Sequence, residues 1–353
     1  MGQVRQSRMA GIPAEAVASR ERSARWTQVL RHLAAALTPG PRLVVVDGCG
    51  EADRFADVLT QVLAATGQDC VRANGPAGYG DGGIAAEHVP AVVVATGRQL
   101  GTSRPPDAVL IWLRSGSTSG SVGHGAEHLA QIVVDLRDPD WPVVRAVDES
   151  LADRSSWYLT ETQAFFAVRA ATWDRKFGHD MPAYAAAVGE IDIPSGGVAI
   201  DVGCGTGRAL PALRSAVGPT GTVLGVDVTV EMLENALSLG RAEHGHLVLA
   251  DARYLPLATS TVDAVFAAGL IGHVAEVEPV LRELARVTAP RGRLALFHPS
   301  GRAALAARHG RALRADEPLA EAPLRAVLAR TGWDLDRYDD AVGRFFARAA
   351  RVR

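Results

Sequence analysis

The sequence predicts an α/β protein of two domains, and three observations carry that prediction. The 353 residues exceed the roughly 150 of an average domain more than twofold. In both halves, short runs rich in valine, isoleucine and leucine alternate with stretches of helical spacing, the pattern of layered strand–helix–strand units. A polar stretch at residues 148–156 separates the halves. The expected domains are therefore 1–150 and 151–353.

Composition narrows the function classes. The chain carries 37 basic against 39 acidic residues, a net charge of −2, so no global basic surplus exists for gripping nucleic acid or an anionic membrane. The apolar runs at 43–46 and 264–271 fall far short of the roughly 20 residues of a membrane span, and no secretory h-region follows Met1. Cys49, Cys70 and Cys204 are odd in number and fit neither a disulfide framework nor a zinc site. A cytoplasmic chain without a metal is the expectation. Lys176 is the only lysine, so any mechanism that needs one has a single candidate.

In the first half, Val17, Trp26, Val29, Leu30, Leu33 and Leu37 lie at helical spacing before Pro39-Gly40-Pro41. Leu43-Val44-Val45-Val46-Asp47 reads as a buried strand, followed by a glycine turn at Gly48 and Gly50 and a helix over 54–65. Further strands fit 91–96, 109–113 and 132–136, with glycine- and serine-rich loops at 74–83 and 115–125. In the second half, 157–188 is helical in pattern and aromatic-rich. Strands then fit 198–202, 223–228, 247–251, 262–267 and 294–297, with helices at 207–217, 230–241, 276–288 and 319–331. Two short strands follow at about 334–340 and 344–352.

The chemistry concentrates in the second half. Val198-Ala199-Ile200-Asp201-Val202-Gly203-Cys204-Gly205-Thr206-Gly207 is a strand entering a glycine turn that opens a helix. Gly203 and Gly205 can take dihedrals closed to residues with a Cβ, and they let a ligand approach the backbone. About 20 residues on, the next strand ends in Asp227, where an acidic side chain of a doubly wound sheet reaches the hydroxyls of a ribose. Leu249-Ala250-Asp251 reads as a third acidic strand end, with Ala252 able to offer its N–H beside a purine.

Motif by motif, this order resembles the class I S-adenosylmethionine-dependent methyltransferases over roughly 157–353. The resemblance implies a Rossmann-like seven-stranded sheet and S-adenosylmethionine as cofactor. It implies a cofactor site of Asp201, Gly203, Cys204, Gly205, Gly207, Asp227, Val228, Met232, Asp251, Ala252 and Gly269. Residues 262–270 look like the fourth strand, and Pro290-Arg291-Gly292-Arg293-Leu294 like the turn into the fifth. An N-terminal helical segment caps the cofactor in related small-molecule enzymes, so Trp173 and Phe177 are expected to close over it; the same residues also read as core aromatics. A dinucleotide fingerprint, Gly-x-Gly-x-x-Gly, is not matched, because Arg208 stands three positions after Gly205.

Two histidines, His273 and His298, sit where an open α/β sheet places its substrate, and either fits a base that takes the acceptor's proton. Each also fits a polar structural role. Arg302 is a candidate partner for an acidic substrate. Cys204 is expected to fill a tight turn. No Asn-Pro-Pro-Tyr-like motif is present, so the expected acceptor is a small molecule rather than a DNA base.

The first half resembles uridine-kinase-like P-loop proteins over about 14–147, on Val44-Val45-Val46-Asp47-Gly48, Phe55-Ala56-Asp57-Val58-Leu59 and the run 133–142. A working P-loop needs Gly-x4-Gly-Lys-Ser/Thr to hold phosphates and Mg²⁺. Counting from Gly48, those last three positions are Asp53, Arg54 and Phe55, so the loop is degenerate. Such a domain has three roles open to it: docking a nucleoside-like substrate, holding a homodimer interface, or supporting the second domain. The expected function is methyl transfer to an oxygen, nitrogen or carbon of a small molecule. The alternatives are a non-catalytic regulator that binds S-adenosylmethionine or S-adenosylhomocysteine, and a nucleoside kinase.

Overall fold

A computed structural model describes residues 14–38, 43–73, 92–96, 108–115, 129–308 and 312–352. The chain forms two units, Met1–Trp157 and Tyr158–Arg353. The polar stretch at 148–156 belongs to the first unit instead of forming a free linker. Asp148 N–H donates to Gln131 O at 2.7 Å. The Asp148 carboxylate accepts from Ser150, and Asp153 caps the 3-10 turn Arg154–Ser156. These local bonds hold the backbone down toward the end of the first unit at Trp157.

The first unit contains α1 (Ala14–Ala36), β1 (Leu43–Asp47), α2 (Ala52–Ala65), β2 (Cys70–Arg72), β3 (Val92–Thr96), β4 (Val109–Arg114), β5 (Ile132–Asp135) and β6 (Val143–Val147). Its sheet runs β2-β3-β1-β4-β5-β6, parallel except for the β5/β6 pair. β1, β3 and β4 are buried along nearly their whole length, as parallel strands covered on both faces must be. β1 is central and runs into Gly48, whose φ of +114° excludes a side chain; a Cβ there would also collide with the backbone of Leu113. β2 has only three residues and β6 is a short antiparallel edge after Pro142, so neither stands out in the sequence. The glycine- and serine-rich segments 74–83 and 116–125 lie outside the described residues.

The second unit opens with α3 (Tyr158–Ala167), α4 (Ala170–Phe177) and α5 (Met181–Val188). The helical stretch at 157–188 is thus three helices. Pro182 in the first turn of α5 has no N–H to continue the preceding helix, and Gly178–Asp180 closes the gap as a 3-10 turn. Then follow β7 (Val198–Val202), α6 (Leu210–Val217), β8 (Thr222–Asp227), α7 (Val230–Ser238), β9 (His246–Leu249), β10 (Val262–Ala268), α8 (Val277–Val287), β11 (Thr288–His298), α9 (Arg302–Arg308), α10 (Glu321–Arg330), β12 (Trp333–Ala341) and β13 (Arg344–Arg351).

These strands form one seven-stranded sheet, β12-β13-β11-β10-β7-β8-β9, with β13 antiparallel to both neighbours. Successive side chains point to opposite faces. Ile200, Val265 and Leu294 therefore pack toward Leu281 and Leu284 of α8, while Ala199, Phe266 and Phe297 pack toward Leu210 and Leu213 of α6 and Tyr184 of α5. From β7 the chain moves to β8 on one side, and from β10 to β11 on the other. The carboxyl ends of β7 and β10 therefore flank a topological switch point, where open α/β sheets bind ligands. Among the described residues, no helix is long and apolar enough to cross a membrane.

Candidate cofactor-binding site

β7 delivers Asp201 and Val202 to the switch point, and the chain then turns through Gly203, Gly205 and Gly207, all with φ between +54° and +77°. The turn is pinned from β8. Val226 O accepts from Gly203 N–H and Cys204 N–H at 2.8 and 3.0 Å. The Asp227 carboxylate accepts from Gly205 N–H and Thr229 N–H, both at 2.8 Å. Burial raises the Asp227 pKa, and the amides of Thr229 and Gly205 partly offset that rise. A Cβ on Gly205 would meet only Met232 Sδ, at 3.9 Å, so the loop is open above this residue, with Met232 buried beside it.

Asp201 is 2% exposed, and its Oδ1 has no hydrogen-bond partner among the described residues. Burial, and next the charge of Asp227, push its pKa up to about 8 against the opposing charge of Arg208. A buried carboxyl oxygen with empty valence is costly unless a donor or cation arrives. Cys204 is buried as well, its thiol pushed far up by burial and by the two carboxylates. It packs against Gly225 as a filler of the turn and is no thiolate nucleophile.

The third expected strand end is corrected: β9 stops at Leu249, and Asp251 lies in the turn beyond it. Its carboxylate is held by Arg253, through the backbone N–H at 2.9 Å and the guanidinium at 2.7 Å. Burial works against ionisation there, but Arg253 outweighs it and the Asp251 pKa falls below its ordinary value. Ala252 follows at the same edge. Val228 is half-buried, and its carbonyl accepts from Gln163 Nε2 of α3 at 2.8 Å. Gly269 ends β10 with φ +73°.

Helices α3 and α4 are tied onto these carboxyl ends. Tyr158 OH donates to Gly272 O at 2.9 Å and Asn235 Nδ2 to Ala170 O at 2.7 Å. Thr206 Oγ1, inside the glycine loop, donates to the Asp174 carboxylate, which Arg241 also pairs at 3.1 Å. Arg208 donates to Phe177 O at 3.2 Å and lies 4.5 Å over the Tyr184 ring. Trp173 and Phe177, half-buried with centroids 4.7 Å apart, are thereby fixed next to the loop. Sequence reasoning missed Asp174, Gln163 and Arg241 because their partners are 32 to 67 residues away. Arg208, which in the sequence only breaks the dinucleotide fingerprint, is an anchor of the cap.

His273 lies edge-on to Phe166 at 4.9 Å and so sits in the aromatic cluster with Trp173. His298 ends β11, and the place a Gly269 Cβ would occupy is 4.0 Å from its Cδ2. Its Nδ1 faces both the N–H of Ser300 at 3.0 Å and the carbonyl of Ser300 at 3.1 Å, so either neutral tautomer has a partner. Burial lowers the His298 pKa; Arg308 and Arg208 lower it further, against the Ser300 hydrogen bond and Asp180. Arg302 is corrected from substrate partner to structural ion pair: it is buried between Glu317 at 3.2 Å and Asp340 at 3.4 Å. No cluster of metal-ligating side chains occurs among the described residues.

Residues 200–296 match the family model described as a methyltransferase domain. The demethylmenaquinone methyltransferase of Halalkalibacterium halodurans is 38% identical over 117 residues, covering 31% of this chain and 46% of that protein. The 2-phytyl-1,4-naphtoquinone methyltransferase of Thermosynechococcus vestitus is 30% identical over 152 residues, covering 40% of this chain and 67% of that protein. A solved SAM dependent methyltransferase from Aquifex aeolicus is 24% identical, covering 53% of this chain and 98% of that one at a TM-score of 0.44. The chain spans about half the length, or less, of four of the curated relatives it matches. With two thirds of the Thermosynechococcus protein spanned, and the glycine loop, Asp227 and Asp251 all inside residues 200–296, the chain belongs to the methyltransferase-domain family.

Proposed function

We propose that the second unit transfers a methyl group from S-adenosylmethionine to an oxygen, nitrogen or carbon of a small molecule. One observation carries the reading: a bare glycine turn at the switch point is clamped by Asp227, beside a buried Asp201 oxygen that has no hydrogen-bond partner among the described residues. When bound, S-adenosylmethionine supplies a methyl on a sulfonium; the S–CH₃ bond breaks as the acceptor–CH₃ bond forms, leaving S-adenosylhomocysteine. Gly203, Gly205 and Gly207 give the ligand access to the backbone. The remaining lone pairs of Asp227 receive the ribose hydroxyls, and Asp251 with Ala252 takes the adenine edge. Asp201 meets positive charge, which returns it to its ionised form. Trp173 and Phe177 exclude water from the reacting atoms.

His298 is the favoured base for the acceptor's proton. It is neutral at physiological pH, and when Nε2 takes a proton, Nδ1–H donates to Ser300 O. His273, packed among aromatics, serves to hold the cap. In the test, purified protein with S-adenosylmethionine and a pool of small molecules is expected to release S-adenosylhomocysteine, and Trp173→Ala to slow that release. Cofactor binding with no product from any acceptor pool favours the regulator reading and would overturn this one.

For the first unit, the proposal is a degenerate P-loop domain that supports the second. A central β1 running through Gly48 into α2 is the strand–loop–helix arrangement of a P-loop, and this supports the reading. Two of its three phosphate-handling positions are otherwise engaged. Asp53 pairs with Arg72 at 2.9 Å, and Phe55 is 2% exposed, packed against Trp26 at 6.0 Å. Phosphate release from Mg-ATP is therefore expected to stay at the buffer rate; protein-dependent turnover abolished by Arg54→Ala would contradict this. Three free cysteines support a reducing, cytoplasmic setting.

A further inference from the structure

Most of the arginines around the carboxyl ends of the second sheet are committed to carboxylates. Arg208 pairs with Asp180, Arg241 with Asp174, Arg253 with Asp251, and Arg302 with Glu317 and Asp340. Arg308, at the end of α9, differs. It is exposed, donates to Ser300 Oγ at 3.0 Å, and has no carboxylate partner among the described residues. Ser300 is itself nearly buried and uses its N–H to fix His298. One serine therefore positions both a neutral imidazole and an uncompensated guanidinium. That imidazole's Cδ2 edge faces Gly269 at the crevice, as above.

We propose that Arg308, held by Ser300 beside His298, is a specificity-determining residue that selects methyl acceptors carrying an anionic group, a carboxylate or a phosphate. The inference rests on the methyl-transfer reading and names the acceptor class of that site. The planar guanidinium fork matches the two oxygens of either anion, and its charge raises the local concentration of anions at the cleft. The charges that bear on His298 are Arg308 and Arg208, with Asp180 opposing, so the balance there is positive. An acceptor anion at Arg308 restores neutrality and brings its nucleophile next to the imidazole. Arg302, the residue that the sequence suggested for this task, is locked away in its own ion pairs.

The test uses the full chain saturated with S-adenosylhomocysteine and titrated by calorimetry with benzoate, phenyl phosphate and the neutral benzamide. Benzoate or phenyl phosphate is expected to bind, and the tighter of the two names the anion. Arg308→Gln is expected to weaken that binding by about tenfold or more, the loss for a charge-assisted hydrogen bond, and Arg308→Lys by less. The imidazole pKa of His298, followed by NMR, is expected to rise when the anion binds and to stay put in Arg308→Gln. The proposal is overturned if benzamide binds as tightly as benzoate, if neither anion binds, or if Arg308→Gln leaves anion affinity unchanged. If S-adenosylhomocysteine itself does not bind, it is the methyl-transfer reading that fails, and the two failures are thus distinguishable.

Discussion

Replacing Asp227 by alanine is expected to weaken S-adenosylmethionine binding by about 1.5–3 kcal/mol, roughly 10- to 150-fold, and more if the glycine turn relaxes. The side chain has two tasks. Its oxygens accept the N–H groups of Gly205 and Thr229, which sets the shape of the turn, and their remaining lone pairs face the ribose in the proposed complex. Alanine removes both and leaves two backbone donors without their acceptor. Asparagine at this position keeps one carbonyl oxygen, so Asp227→Asn should lie between wild type and alanine. Burial already disfavours the Asp227 charge, which offsets part of the stability that Asp227→Ala loses with those two hydrogen bonds. Unchanged affinity in a folded Asp227→Ala protein would mean that the end of β8 is not the ribose site.

Asp201→Asn is expected to stabilise the unliganded protein at pH 8 by a few kcal/mol while weakening the cofactor. The sign follows from linkage. The folded-state pKa of about 8 lies above the ordinary carboxylate value. The stability from this proton is therefore fully present below about pH 4 and lost as pH rises through 8, at about 1.4 kcal/mol per unit. Asparagine cannot ionise, so the variant should show a flatter dependence between pH 4 and 8. Urea-unfolding midpoints at pH 5 and pH 8 measure this directly. An identical pH dependence in both proteins would mean that Asp201 is already ionised in the free chain. Because a cationic ligand favours the charged aspartate, wild-type binding should also tighten as pH approaches 8.

What was legible in the sequence is local. The glycine turn and Asp227 belong to one strand–turn–helix–strand unit, in which residue type and spacing together dictate position, and β7 matches its expected bounds. Asp251 was found in the right order but on the wrong element, because β8 itself ends at Asp227: its last register partner is Leu249, its last carbonyl accepts from Ala250 N–H, and nothing remains for Asp251 to pair with. The tertiary features were not legible. Asp174 looks like one more charge on an exposed helix until Thr206 and Arg241 meet it. Arg302 looks free until β12 brings Asp340 alongside, and Arg308 gains meaning only once Arg302 has been used up. In the first unit, β2 and β6 are too short to leave a periodic signal, and their place comes from the neighbours they pair with.

The central claim is that the glycine turn, Asp227 and Asp201 form a working cofactor site. Calorimetric titration of the purified full chain with S-adenosylmethionine, repeated with S-adenosylhomocysteine, tests it most directly. The account predicts saturable one-to-one binding of both ligands at micromolar affinity, with protons released as Asp201 ionises. Absence of binding by either ligand would contradict it.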